Sequence, residues 1–251
     1  MKIAIAVQNV GVGRVNTWKH AAAVRPWWRI YWNRTPGAVV CFGNRDYVLD
    51  RKSILVIPPD TSVEQRLLQV FETFYVHVSF GMPYDRCRGN IFQLPVTDLI
   101  RPLLARAVAS VEAGEGSVIL GAYLTAVLAE LPVDFRALAI SDHRIGRCVE
   151  MMEESAGEHW SNTELAEIAG LSRNAFVRLF RQNTGRPPQA YLLKIRLEKS
   201  CEMLANSDCP VDEIAQSMGF CDRSYFTRQF RKVYAMGPGT YRKLSPFIKV
   251  S

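Results

Sequence analysis

The sequence predicts an α+β chain: an antiparallel β-barrel backed by a helical hairpin, then an all-α region of two like modules joined by a long helix. Three observations carry this. The pattern Phe176-Val177-Arg178-Leu179-Phe180-Arg181 returns fifty residues later as Phe226-Thr227-Arg228-Gln229-Phe230-Arg231. Before residue 97, short β-rich runs alternate with turn formers. From residue 97 onward, apolar residues recur at helical spacing. A chain of 251 residues is long enough for two domains, each with its own core. Its composition, 48% hydrophobic and 22% charged, is that of an ordinary globular protein.

The β-rich runs are Arg29–Trp32, Ala38–Phe42, Tyr47–Leu49, Ile54–Ile57, Arg66–Val70 and Phe74–Phe80. Turn formers such as Thr35-Pro36-Gly37, Gly43-Asn44 and Pro58-Pro59-Asp60 separate them, which suits an antiparallel barrel or a double-sheet roll. Such a barrel can close around a small ligand. Trp28 and Trp32 are aromatic faces on which a ring could stack, and Arg29 could hold a carboxylate or hydroxyls. His77 sits in an apolar strand as a further contact. Alternatively, these side chains simply fill the barrel.

Leu99, Leu103, Leu104, Ala107, Val108 and Val111 then mark one helix, and Val118 to Leu131 a second, unusually apolar one that ends before Pro132. This hairpin, spanning 97–131, has more apolar surface than a barrel wall needs. Self-association and intramolecular packing are both open uses for the excess. Residues 1–135 form the first domain on this reading, 136–141 a linker, and 142–251 the second domain.

Six cysteines lie scattered without metal-ligand spacing, as expected of reduced thiols in a cytoplasmic protein. The apolar opening Met1–Val7 is too short for a signal segment, and no stretch reaches membrane-spanning length. No metal or cofactor is expected.

In the second domain Ile145, Val149 and Met152 give an amphipathic helix that ends near Gly157. Ser161-x-x-Glu164 has the spacing of a capping box that starts a short helix, and Gly170 supplies a left-handed turn. Ser172 caps the next helix, which runs to about Asn183. Two short helices around a Gly turn make a helix-turn-helix. With Phe176, Leu179 and Phe180 inward, Arg173, Asn174, Val177, Arg178 and Arg181 face out. The second copy begins at Val211, turns at Gly219-Phe220 and faces out Arg223, Ser224, Thr227, Arg228 and Arg231. Between them Pro188–Leu204 reads as a helix of about 25 Å at 1.5 Å per residue. Such a spacer could set two recognition helices one DNA turn apart.

Charge supports an anionic partner. Residues 172–197 hold six cations and no acid, and 223–251 hold seven and no acid, while the rest of the chain is net acidic. In a major groove Arg suits guanine, Asn adenine, and Val a thymine methyl. Cations further along the helices, Arg181 and Arg186 among them, suit phosphates.

Leu165-Ala166-x-x-Ala169-Gly170-Leu171-Ser172, Phe180-Arg181-x-x-Thr184-Gly185-x-x-Pro188-x-x-Tyr191, Ile214-Ala215-x-x-Met218-Gly219-Phe220 and Pro238-x-x-Tyr241-Arg242 fall in order through about a hundred residues. The tract resembles the two-module DNA-binding domain of the AraC/XylS transcription regulators. Asn44–Leu49 followed by Ser53–Pro59 resembles, more faintly, the cupin-like sensory domain of the same family. By position, the resemblance places base reading on Asn174, Val177 and Arg178 and on Arg223, Ser224, Thr227 and Arg228. Phosphate contacts fall on Arg173, Arg181, Arg186, Arg231 and Lys232. Ala235 stands where the family usually has Gly, so the last turn departs from the pattern.

A metal-dependent cupin enzyme needs several His and a carboxylate on one ion, and the first domain offers only His20 and His77. The chain is therefore expected to be a non-enzymatic, sequence-specific regulator that senses an effector, for which a sugar is one candidate. The expected partners are double-stranded DNA, the effector, a second copy of the chain and RNA polymerase, without a membrane. The alternative is an architectural DNA binder that needs no effector.

Overall fold

A computed structural model describes residues 3, 5–18, 25, 27–115, 118–135, 138, 140–234 and 236–244. His20, Ala235 and linker positions 136, 137 and 139 lie outside the described residues. The fold is α+β, with antiparallel sheets first and helix-turn-helix modules after. The chain divides into two compact units. The first runs through Gly81 and again over Cys87–Val133, and the second takes Met82–Arg86 and Asp134–Leu244.

The first unit holds eight described strands: β1 (Ala6–Val15), β2 (Trp28–Asn33), β3 (Ala38–Phe42), β4 (Arg45–Leu49), β5 (Ser53–Ile57), β6 (Glu64–Leu67), β7 (Phe71–Ser79) and β8 (Phe92–Pro95). One sheet has the order β1-β7-β2-β5-β8 and the other β4-β3-β6. Tyr31, Ala38, Val40, Tyr47, Leu49, Leu55, Ile57 and Phe71 are buried in one cluster, which puts their faces of the two sheets toward each other. The alternate face of the larger sheet is covered by α1 (Ile100–Glu112) and α2 (Val118–Ala129), as the contact of Phe74 with Tyr123 at 5.8 Å shows.

Three strands differ from the sequence expectation. β1 is ten residues long, yet Asn9, Gly11 and Gly13 interrupt its apolar pattern. It forms because β7 pairs with it antiparallel, and Gly11 has to be small: a Cβ there would lie 2.8 Å from the Tyr75 hydroxyl. β8 was hidden by its brevity and pairs with the buried β5. β6 ends at Leu67, before the exposed Leu68 and Val70, so the apolar run Arg66–Val70 is mostly a turn.

The second unit comprises α3 (His143–Glu154), α4 (Asn162–Ile168), α5 (Arg173–Thr184), α6 (Pro188–Asn206), α7 (Val211–Ser217), α8 (Arg223–Tyr234) and α9 (Pro238–Leu244). Asp142 caps α3 through the Arg144 amide, and its side-chain bond to Arg144 depresses its carboxyl to about 2. Ser161 and Glu164 close the expected capping box on α4. Ser172 caps α5, and Gly185 ends it at φ 78°. Ile145, Cys148, Met152, Leu165, Phe176 and Phe180 share one buried cluster with Tyr191 of α6. Met82 packs on that cluster, and Arg86 donates to the Leu138 and Gln182 carbonyls at 2.5 and 3.0 Å.

Candidate nucleic-acid interface

Recognition helices α5 and α8 are near copies in burial. Phe176 and Phe180 are wholly buried with rings 5.5 Å apart, and Phe226 and Phe230 repeat this at 5.5 Å. In each, the buried pair is spaced i, i+4, so the opposite face of the helix is left to solvent. On α5 that face exposes Arg173, Asn174, Arg178 and Arg181, with Val177 half-buried among them. On α8 it exposes Arg223, Ser224, Arg228 and Arg231 with Lys232, and Thr227 is half-buried.

Each face looks into a concavity. That of α5 measures about 660 Å³ and is lined by Asn162, Arg173, Asn174, Val177, Arg178, Arg181 and Gln182. That of α8 measures about 310 Å³, and Arg223, Thr227, Arg231 and Lys243 bring cations and a hydroxyl to it. Gln182, one turn beyond Arg178, was legible from helical period; Asn162 and Lys243 come from neighbouring helices and were not. Among the described residues no ion pair involves Arg173, Arg178 or Arg181. Arg223 pairs with Asp212 of α7 at 3.0 Å, and the Arg228 guanidinium stands 5.4 Å from the Tyr225 ring.

Not every cation of the two basic windows belongs to this surface. Arg196 donates to three carbonyls, those of Ala156, Gly219 and Glu158, at 2.8, 2.9 and 2.8 Å. It thereby ties the end of α3 to the turn after α7. Lys194 is nearly buried between Asp85 at 3.2 Å and Glu198 at 2.9 Å. Burial opposes its charge, but Glu198 and Asp85 outweigh burial and hold the ammonium above its ordinary range. Arg186 is half-buried beside Lys194, while Arg181, Arg231 and Lys232 stay exposed.

The four candidate effector residues divide between the two faces of one sheet. Arg29 and His77 are cross-strand partners on the face that carries Tyr31 and Tyr75. Tyr31 Oη lies 3.3 Å from His77 Nε2, and Arg29 Nη2 donates to the Thr61 carbonyl at 2.5 Å. Burial lowers the Arg29 pKa, Tyr31 opposes that shift, and Arg25 adds to it. Asn33, two residues on from Tyr31, is fully buried with both amide atoms unpaired among the described residues. Trp28 and Trp32 alternate to the other face. Trp28 is wholly buried with its ring 5.7 Å from Phe80, and Trp32 donates to the Arg51 carbonyl at 3.2 Å. The period of two that makes the strand keeps them from Arg29 and His77.

Residues 165–244 match the family model described as a helix-turn-helix domain. The RCS-specific HTH-type transcriptional activator RclR of Escherichia coli (strain K12) is 34% identical over 117 residues, 46% of this chain and 41% of RclR. A putative AraC-like transcription regulator of Streptomyces antibioticus is 29% identical over 104 residues, 41% of this chain and 34% of that one. The match thus spans about two fifths or less of these relatives' length. Among solved structures, ToxT from Vibrio cholerae aligns over 94% of this chain and 98% of its own, with TM-score 0.62 at 11% identity, which shows a shared fold. ToxT has also been solved with (E)-4-(8-methylnaphthalen-1-yl)but-3-enoic acid and with an unsaturated fatty acid. No helix among the described residues is long and apolar enough to cross a membrane.

Proposed function

We propose that the chain, as a regulator of the AraC/XylS family, binds a specific double-stranded DNA site with both modules under control of a small molecule sensed by the first unit. The observation that carries the DNA reading is the matched pair α5 and α8: the same buried Phe pair aims a basic, polar face outward at the same helical positions. On this reading Asn174, Val177 and Arg178 at the start of one helix, and Arg223, Ser224, Thr227 and Arg228 on the other, contact base edges. Arg173, Arg181, Arg186, Arg231 and Lys232 serve phosphates.

The sensing role rests on the face of the larger sheet that carries Arg29, Tyr31, Tyr75, His77 and Asn33. A buried guanidinium beside phenols and an amide unpaired among the described residues suits a ligand rich in hydroxyls or bearing a carboxylate. Both ToxT ligands are carboxylic acids, which favours the carboxylate and adds organic acids to the sugars as a class to test. Pairing of two copies is assigned to the α1–α2 hairpin, where Leu99 and Val118 are 59% and 94% exposed. Selection of bound duplexes from a random pool at rising salt tests the function. A recurring motif with a salt-dependent affinity is expected. Equal binding of all sequences would favour an architectural binder.

A further inference from the structure

We infer that Asp212 is a positioning residue that orients Arg223 for reading a guanine, which makes the second module's first contact more base-selective than the first module's. This rests on the DNA-binding reading above. Arg223 opens α8 and lines the concavity in front of it, where its Nη1 meets Asp212 Oδ2 at 3.0 Å. Their side chains are 61% and 60% exposed, so the pair is no buried tie holding α7 to α8. Its consequence is directional. A guanidinium carries five N–H donors in a rigid fork, and one carboxylate oxygen on Nη1 leaves the other edge free for two acceptors such as guanine O6 and N7. Holding that edge in place before DNA arrives lowers the rotamer entropy lost on contact. The acid also reduces the attraction of this arginine for phosphate, which is present at every sequence.

The surroundings leave Asp212 as the acid that acts on this arginine. Asp222, the neighbouring acid, is committed to the helix end, where its Oδ1 accepts from the Tyr225 amide at 2.7 Å and its Oδ2 from Cys221 Sγ at 3.3 Å. Arg228 lies over Tyr225, and Arg231 faces the same concavity one turn further on. Glu213, next to Asp212, accepts from Cys209 Sγ at 3.4 Å. In the first module the position matching Asp212 is Thr163, and the carboxylate after it, Glu164, is held in the capping box. Arg173, the counterpart of Arg223, therefore has no acid among the described residues to aim it.

Duplexes bound by the full chain are selected from a random pool for the wild type, Asp212→Ala, Asp212→Asn, Arg223→Ala and the double variant Asp212→Ala/Arg223→Ala, with thermal midpoints measured alongside. Asp212→Ala should lower the preference for one guanine about three- to tenfold and leave the other positions and the affinity for arbitrary sequence unchanged or raised. Asp212→Asn, which keeps an acceptor, should retain part of that preference. The double variant should match Arg223→Ala at that position, since Asp212 acts only through Arg223. A loss spread evenly over all positions, a double variant worse than Arg223→Ala there, or a motif untouched by Asp212→Ala would each overturn the inference while leaving the DNA-binding function intact. A wild type that enriches no motif would overturn that function, and the inference with it.

Discussion

The two helix-turn-helix modules reach one geometry with different fastenings. Both turn on a left-handed glycine, Gly170 at φ 64° and Gly219 at φ 68°, and in both the next amide reaches back to an alanine carbonyl, Leu171 to Ala166 and Phe220 to Ala215. Both seat the recognition helix on a phenylalanine pair. The ends differ: α4 begins on a capping box, whereas α7 begins after Pro210 without a side-chain cap. Around the pair, the first module adds α3, while the second stacks Phe230 on Tyr234 at 4.3 Å and sets Tyr241 against both rings. Turn and buried pair are thus what the geometry requires, and caps and padding are interchangeable.

The largest effects should test that shared core. Phe180→Ala and Phe230→Ala are each expected to cost about 3–5 kcal/mol in chemical denaturation, because each ring is wholly buried. Markedly unequal costs would mean that the modules do not depend on the pair alike. The turn should separate them. Gly170 has open space where a Cβ would go, so Gly170→Ala should cost only the left-handed strain, about 1–2 kcal/mol. At Gly219 the Cβ would run into the Gly157 carbonyl and Arg196, so Gly219→Ala should cost clearly more. Similar thermal shifts for the two would show that this packing is dispensable.

Function should divide within each helix. Arg178→Ala and Arg228→Ala are expected to lose about 1–3 kcal/mol of discrimination at one base each, measured by competition between matched and altered duplexes. Arg181→Ala and Arg231→Ala should weaken all sequences alike and flatten the salt slope by about one each. Identical behaviour of the two kinds of variant would dissolve the distinction between reading and gripping.

The smallest effect belongs to the caps. Ser161→Ala should cost about 1 kcal/mol, with no counterpart in the second module at Pro210. The carboxyls of Asp142 and Glu164 in the first module, and of Asp222 in the second, are held below their ordinary values, chiefly by hydrogen bonds to Arg144, to Ser161 and to the Tyr225 amide respectively. A depressed acid contributes stability above its unfolded pKa and loses it as pH falls through the folded one. Acid titration of helical signal should therefore show that contribution fading below about pH 4. It should go further in the wild type than in Glu164→Ala, which removes the carboxyl that accepts from the Ser161 amide.

Much of the outward face of α5 and α8 was legible from the chain alone, because a helix writes its faces locally. Phe176 and Phe180 are four residues apart, and so are Asn174 and Arg178; once the first pair is buried, the second is turned outward. The fate of individual cations was not legible. Lys194 and Arg196 counted toward the basic window, yet one is held by Asp85, from the connection after β7, and the other by carbonyls of Ala156, Glu158 and Gly219. β1 was missed for a like reason, since Gly11 makes sense only opposite Tyr75.

By itself, then, the sequence determined the repeated module, its turn glycines, its caps and the outward faces of α5 and α8, all set by contacts within a few residues. Tertiary structure decided which face of the larger sheet holds Arg29 with His77 and which cations are structural. It also decided that, among the described residues, Arg223 is the outward arginine of α5 and α8 paired with an acid. Those outcomes depend on groups brought together from distant parts of the chain, and no local period records them.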